Sequence, residues 1–438
     1  MKANQPNILL LLPDQHRSDW IGCCSGPVCT PNIDGLASEG MVFDNAYTPS
    51  PLCGPARACL ASGRNYGNCG VRSNEFNYPL SIPTYYQVLQ KKGYFTVGVG
   101  KFDLHKDTSP DNLHWCLDGS RLINEWGFNA GIDCEGKMDG VNSYRFHGKP
   151  MGPYLSYLQE QGILDIHIRE HDNRAMHSNA YTTALPEYAY CDNWVADQGL
   201  ELLGRAPADR PWHMVVNFVG PHSPMDVTQN MRAKWEDITI PAPHNPIVPE
   251  EESSQRARRN YAAMIENIDR LLGRFIEKVK RRGEYDNTVI VYASDHGDML
   301  GDHGKWGKGT WRDPAVRVPL IIRDPLARHR GVRSGALVSL QDLAATFLDF
   351  AGCSKLAGMD SNSLRPLLTD ERNTHRDALV SELGDWKLAF DGRYKLVVRS
   401  GRNSLLFDLE ADRFEDNDMG TRRTELIAKL SHYATPAV

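Results

Sequence analysis

The sequence predicts an α/β fold: a large mixed, mostly parallel sheet sandwiched by helices, with a smaller C-terminal antiparallel sheet plus helix. Three observations predict it. Short apolar runs alternate with helical patterns along most of the chain, and strands buried on both faces of a sheet read as such unbroken runs. After about residue 372 the pattern changes to short strands separated by turn residues, the signature of antiparallel hairpins. The chain has 438 residues, 41% hydrophobic and 24% charged, which is globular and long enough for one large domain or two.

The elements follow in order. Residues 7–12 are the first predicted strand. Residues 82–92 form a helix that ends at Gly93, and 96–100 form the second strand. The stretch from about 103 to 193 is rich in Gly, Asn, His and aromatics, which predicts long loops over one face. A helix is expected over 186–203, and strands over 213–219, 288–293 and 318–322. The clearest helix covers 255–282. Its Tyr261, Ile265, Ile268, Leu272, Phe275 and Val279 recur at three- and four-residue steps, and Gly283 stops it. This stripe reads as core packing, and Arg256, Arg258 and Arg259 read as a solvated face. Another helix over 341–351 ends at Gly352. Strands over 378–383, 386–390, 394–398 and 404–409 precede a terminal helix near 422–433. The expected division is a catalytic domain of residues 1–372 and a small α+β subdomain of residues 373–438.

The net charge of −6 excludes a strongly basic nucleic-acid footprint, so no nucleic-acid partner is expected. Ile8–Leu12 is far too short to span a membrane, and no membrane partner is expected. No signal peptide is visible, which predicts a cytoplasmic chain as written, or a periplasmic or secreted one if a leader was removed. Ten cysteines without a C-x-x-C pair argue against a zinc ribbon or a disulfide scaffold. Most are expected to be buried reduced thiols. The oligomeric state stays open.

In an open α/β sheet, ligands bind beyond the carboxyl ends of the strands. Asp14 and Gln15 follow the first predicted strand, Lys101 and Asp103 the second, His222 the third, and Asp295 and His296 the fourth. Any one of these is readily a helix cap or a surface group. Four together are harder to dismiss, because buried ionisable groups are costly unless paired or metal-bound. Asp14, Asp295 and His296, with Gln15 in support, make a divalent cation site. Two carboxylates and an amide oxygen suit Ca²⁺ or Mg²⁺, and the histidine loosens that preference toward Mn²⁺ or Zn²⁺. A second cluster is Cys53-Gly54-Pro55-Ala56-Arg57. Pro55 suits the first turn of a helix. Cys53 would then sit where the helix dipole favours negative charge, with Arg57 one turn on. An activated nucleophile and a structural thiol both remain open for Cys53.

Cys53-Gly-Pro-Ala-Arg57, followed by Ala61-Ser62-Gly63-Arg64, resembles the signature of formylglycine-dependent type I sulfatases in the alkaline phosphatase superfamily. The resemblance covers nearly the whole chain. It includes Asp14-Gln15, Thr30-Pro31-Asn32-Ile33-Asp34, Gly100-Lys101, Pro221-His222, Asp295-His296-Gly297, Gly301-Asp302-His303-Gly304, Gly307-Lys308-Gly309 and Leu406-Phe407-Asp408-Leu409. It implies an alkaline phosphatase-like fold and a sulfuric ester hydrolase. It implies that a formylglycine-generating enzyme converts Cys53 to 3-oxoalanine (formylglycine), whose hydrate attacks sulfur. It implies one divalent cation, Ca²⁺ first, held by Asp14, Gln15, Cys53, Asp295 and His296. Lys101, Lys308 and Arg57 would offset charge on the sulfuryl oxygens, and His222 would protonate the leaving alcohol. The expected substrate is a sulfated saccharide or other small organic sulfate.

One departure matters. Many members of the family place His two residues after the lysine matched by Lys101, whereas this chain has Asp103. Either Asp103 takes the base role or His105 does, and Asp103 is favoured. Asn74 resembles a residue that touches the ester in phosphonate-cleaving members of the superfamily, against the plain reading of a loop asparagine. A phosphonate monoester or phosphodiester hydrolase is therefore the alternative function. A non-catalytic carbohydrate-binding protein is the reading from another class, and it predicts gaps in the constellation. His303 reads as a loop-ordering residue.

Overall fold

The computed structural model describes residues 5–106, 114–172, 180–246, 251–370, 373–420 and 423–434. Its strands in chain order are β1 (Asn7–Asp14), β2 (Met41–Tyr47), β3 (Phe95–Gly100), β4 (Ala130–Asp133), β5 (Ala180–Thr182), β6 (Trp212–Pro221), β7 (Met225–Val227), β8 (Thr288–Ala293), β9 (Leu320–Arg323) and β10 (Val332–Ser339). Eight of them form the central sheet, in the order β10-β2-β9-β8-β1-β6-β3-β4, and β5 pairs with β7 apart from it. Only β9 runs antiparallel to its neighbours, β2 and β8; the other pairs of this sheet are parallel.

Alternation along β1 shows why the sheet is covered on both faces. Ile8, Leu10 and Leu12 join one core, with residues of the helices Cys53–Ser62, Tyr85–Lys92 and Asp342–Phe350. Leu9 and Leu11 join the other, with residues of Pro31–Glu39, Cys191–Gly204 and Glu252–Arg281. Each fully buried Leu is worth about 1.5–3 kcal/mol, so a strand of this kind is fixed in the middle layer. Local chemistry sets the helix ends. Thr84 and Gln87 close a capping box at the start of Tyr85–Lys92.

Four further strands, β11 (Leu379–Leu383), β12 (Trp386–Phe390), β13 (Tyr394–Arg399) and β14 (Arg402–Asp408), form an antiparallel sheet in sequence order. The helix Thr424–Ala434 packs on it through Leu430 and Ala434. The expected start of that helix at 422, and the expected domain boundary at 372, lie outside the described residues. The opposite face of the small sheet packs against Tyr47, Val316 and Leu337 of the larger unit.

Several expectations change. The region from 103 to 193 is not mainly loops. It adds β4 to the sheet edge and contributes the helices Met138–His147, Pro153–Glu160 and Leu164–Asp172. Its polar and aromatic composition hides their apolar faces. β2 and β10 fall outside the predicted strands, because Asp44 and Asn45 interrupt one and Arg333-Ser334-Gly335 the other. Arg258 is buried rather than solvated, and its guanidinium lies over the Trp20 ring, 5.5 Å from its centre. All ten cysteines are free, and five of them are buried.

Candidate active site

The central strands β8, β1, β6 and β3 lie side by side and parallel. Their carboxyl ends therefore meet along one edge. β1 delivers Asp14, β3 is followed by Lys101, β6 by His222, and β8 by Asp295 and His296 two and three residues on. The helix Cys53–Ser62 points its first residue at the same edge.

Asp14, Cys53, Asp295 and His296 are all buried, and each offers one ligand atom within 4.8 Å of the others. Cys53 Sγ lies 3.3 Å from His296 Nε2, 3.6 Å from Asp14 Oδ1 and 2.9 Å from Lys308 Nζ. His296 Nδ1 is 3.0 Å from the Gly297 carbonyl, which leaves Nε2 to face the cluster. Lys308 also donates to Gln15 Oε1 at 2.8 Å. Lys101 Nζ reaches Asp14 Oδ2 at 2.5 Å and Asp103 Oδ2 at 3.1 Å. Arg57 Nε donates to Asp295 at 2.9 Å, and its Nη1 donates to the Lys101 carbonyl at 2.6 Å and to Asn217 Oδ1 at 2.9 Å.

Backbone geometry brings these groups close. Gly100 has φ +95, and a Cβ there would stand 2.0 Å from the Asn217 carbonyl oxygen. Only glycine allows β3 to turn so tightly against β6 just before Lys101. Gln15 and Asp103 both have positive φ, at 71 and 52. Asx-type side chains tolerate that region and other residues pay strain, as is common at functional sites.

Charge balance sets the proton affinities. Burial raises the Asp14 carboxyl, but Lys101, His222, Lys308 and Arg57 outweigh it and hold the group well below its usual range. Burial and Asp14 push the Cys53 thiol up, while Lys101, Lys308 and His296 pull it further down, well below the ordinary thiol value. Burial lowers His222, with Lys308 adding to it. Burial opposes the charged form of Asp103, yet Lys101 and Lys106 hold it below the usual carboxylate range.

The structure thus brings Asp14, Gln15, Cys53, Arg57, Lys101, Asp103, Asp295, His296 and Lys308 into one bonded network. His222 joins it through charge coupling to Asp14 and Lys308, and its Nδ1 contacts the Ser223 carbonyl at 2.5 Å. Asn74 is beside it for a structural reason as well, since its Oδ1 accepts the Gly54 N–H at 2.9 Å. Asp103, rather than His105, is the residue bonded to Lys101. Two participants escape the sequence reading. Asn217 anchors Arg57, and it shows as one polar residue inside the apolar run 213–219. Asp298 binds Gln15 Nε2 and accepts from Gly307 N at 3.0 Å, so it ties Gln15 to the loop that carries Lys308. Its spacing three residues after Asp295 was the available signal.

The donor set fits a cation. Two carboxylates, an imidazole nitrogen and a nearby amide oxygen converge in a buried space, a combination suited to a divalent ion.

Residues 6–353 match the sulfatase family, and residues 301–431 match the family described as N-sulphoglucosamine sulphohydrolase, C-terminal. The chain is similar to the arylsulfatase of Clostridium perfringens, at 27% identity over 93% of this chain and 89% of that protein. Its fold is similar to that of the phosphonate monoester hydrolase of Agrobacterium radiobacter, with a TM-score of 0.80 at 23% identity over 98% of this chain and 94% of that one. It is similar also to a structure determined in complex with its substrate D-glucosamine-2-N,6-O-disulfate, with a TM-score of 0.78 at 21% identity over 98% of this chain and 97% of that one.

Proposed function

This chain belongs to the sulfatase family, enzymes that hydrolyse sulfuric esters, and we propose that it cleaves a sulfate monoester of a sulfated carbohydrate or a small organic sulfate. One observation carries the reading: Cys53 Sγ lies buried at its helix start, within 3.6 Å of Asp14, His296 and Lys308 together.

In this reading residue 53 is converted to formylglycine, whose hydrate supplies one hydroxyl to attack sulfur and a second whose deprotonation expels sulfate. A divalent cation, Ca²⁺ first, when held by Asp14, Gln15, residue 53, Asp295 and His296, supplies polarisation of the sulfuryl oxygens. The chain's own groups do the rest. Lys308 and Lys101 stand over the nucleophile and offset the charge that develops on the sulfuryl oxygens. Arg57 ties Asp295 to the backbone of Lys101, which holds the cluster together. His222 protonates the leaving alcohol. Asp103 takes the missing histidine's place through Lys101, since a carboxylate held below its usual range is a weak base by itself but a good counter-ion. Residues 1–372 form the catalytic unit in this scheme and residues 373–438 the smaller one.

Mass spectrometry of the peptide around Cys53 is expected to find the conversion as a loss of about 18 Da (replacement of SH and H by a carbonyl oxygen). Sulfate release from sulfated mono- and disaccharides is then compared with Cys53→Ala. Equal activity in the two proteins ends the proposal.

Asn74 favours a second reading, a phosphonate monoester hydrolase. It sits against Gly54, beside the nucleophile. Relative rates on an aryl sulfate and an aryl phosphonate monoester separate the two, and a higher kcat/KM for the phosphonate selects the second.

A further inference from the structure

A second group of ligand atoms lies outside this cluster. His244, His303 and Asp416 each offer one atom within 4.8 Å of the others. They come from three separate segments: the loop before the long helix, the turn Asp302–Gly304, and the loop after β14. His244 Nε2 is 2.8 Å from Asp416 Oδ2, and His303 Nδ1 is 3.8 Å from Asp416 Oδ1. Ligand atoms on a tetrahedral ion at about 2.0–2.1 Å lie roughly 3.4 Å apart. Small side-chain movements therefore suffice.

The surroundings hold the two rings in place. The His303 N–H donates to the His244 carbonyl at 2.8 Å, and the His244 N–H donates to Asp302 Oδ1 at 2.8 Å. The His244 ring stacks on Phe414, with centroids 3.9 Å apart and planes 7° from parallel. His303 has φ 53, a conformation fixed by these bonds. His303 Nε2 lies 2.9 Å from both the Phe414 carbonyl and Arg312 Nη1. Arginine only donates, so without an ion Nε2 can accept from Arg312 while Nδ1 carries the proton toward Asp416. With the proton on Nε2 instead, the Phe414 carbonyl accepts it and the Nδ1 lone pair faces Asp416. Arg312 keeps the carbonyls of Phe414 and Glu415, at 3.2 and 3.1 Å. A carbonyl that fixes the tautomer of a ligating histidine is the usual outer partner of such sites.

We infer that His244, His303 and Asp416 form a second metal site, for a borderline transition ion such as Zn²⁺, Ni²⁺ or Co²⁺. Two imidazoles and one carboxylate select that class over Ca²⁺. The ion would clamp the loop after β14 to the stretch that carries Asp295, His296 and Lys308.

The test titrates the full chain with Zn²⁺, and separately with Co²⁺, beside His244→Ala and Asp416→Ser. The cysteines and the first cluster are common to all three proteins, so only differences count. Wild type is expected to bind one more equivalent of Zn²⁺ than either variant, to melt at a higher temperature with Zn²⁺ added, and to show a Co²⁺ visible band that both variants lack. Asp416 is exposed, so Asp416→Ser keeps the test sound should His244→Ala misfold. Equal stoichiometry in wild type and Asp416→Ser overturns the assignment.

Discussion

Two regions of this molecule bury several charges each, and they are built differently. In the small antiparallel sheet, Lys395 is fully buried and bonded to Asp313, to Glu415 Oε1 at 2.9 Å and to the Trp311 carbonyl at 3.4 Å. Asp313 accepts from Tyr47, and its own N–H donates to Glu415 at 2.9 Å. All three ammonium protons are used, and the group closes on itself. At the carboxyl edge of the large sheet, Asp14, Cys53, Asp295 and His296 instead each offer one ligand atom to a shared space. Buried charge alone does not mark a site. What marks it is charge whose partners converge without saturating one another.

The strongest challenge to that contrast is Lys395→Met. It leaves Asp313 and Glu415 buried without their cation, and breaking such a group costs about 3–5 kcal/mol. Urea unfolding is expected to show that loss, with sulfatase activity per folded molecule retained. A cost below about 1 kcal/mol would show that the closed cluster is not what holds the small sheet in place.

Lys308→Ala probes the other region. Its ammonium is partly exposed and serves Gln15 and Cys53. Removing one donor to a developing oxyanion costs about 10²–10³ in kcat, while the melting temperature is expected to hold. A large fall in stability with intact kcat would make Lys308 structural and erase the distinction.

The large-sheet region was the more legible of the two in sequence. Four apolar runs, each ending in a polar residue, located the edge, and the order of strands in space then placed those ends together. The Cys-x-Pro-x-Arg segment was legible through its helix start. Less legible were features that depend on partners far along the chain. β2 and β10 carry polar residues mid-strand and are strands because they pair with each other and pack against the small sheet. The helices between 138 and 172 bury Tyr154, Leu155 and Leu158 in the core that holds Trp194 of the helix Cys191–Gly204, a partner that a local pattern does not reveal. Lys395 looks like any strand lysine in sequence, and only its distance to Asp313 and Glu415 shows its role.

β6 runs from a histidine buried in the core to one at the site, and extends the contrast to pH. His222 lies beyond its carboxyl end, in the site. His213 lies near its start, fully buried, 3.0 Å from the Tyr85 hydroxyl and 3.2 Å from the Ile8 carbonyl. Burial lowers His213 from its ordinary value near 6.5 to about 3. The unfolded chain thus binds the proton more readily than the folded one. The stability from keeping this ring neutral is complete above pH 6.5 and is lost as pH falls from 6.5 toward 3, by at most about 1.4 kcal/mol per pH unit. At pH 5 the loss, relative to the plateau well above pH 6.5, is about 2 kcal/mol. His213→Gln is expected to be less stable at neutral pH and to show a shallower fall in acid. Parallel pH curves for the two proteins would mean that His213 does not titrate in this window.

The smallest effect is expected where the two regions touch. Trp386, on β12, donates its indole N–H to the Gly309 carbonyl at 3.3 Å, next to Lys308, and its ring meets Trp311 edge-on at 6.1 Å. Gly309 N in turn donates to the Pro51 carbonyl at 3.1 Å, two residues before Cys53. The small sheet therefore braces both the segment that leads into Cys53 and the loop that carries Lys308. Trp386→Phe keeps an aromatic ring and removes one hydrogen bond, worth about 0.5–1.5 kcal/mol. That corresponds to a loss of roughly two- to tenfold in kcat if the bond sets the position of Lys308. Little change in KM and a small shift in melting temperature are expected. If stability falls by the full amount and kcat does not move, the bond holds the sheets together without reaching the chemistry, and the two regions are mechanically independent.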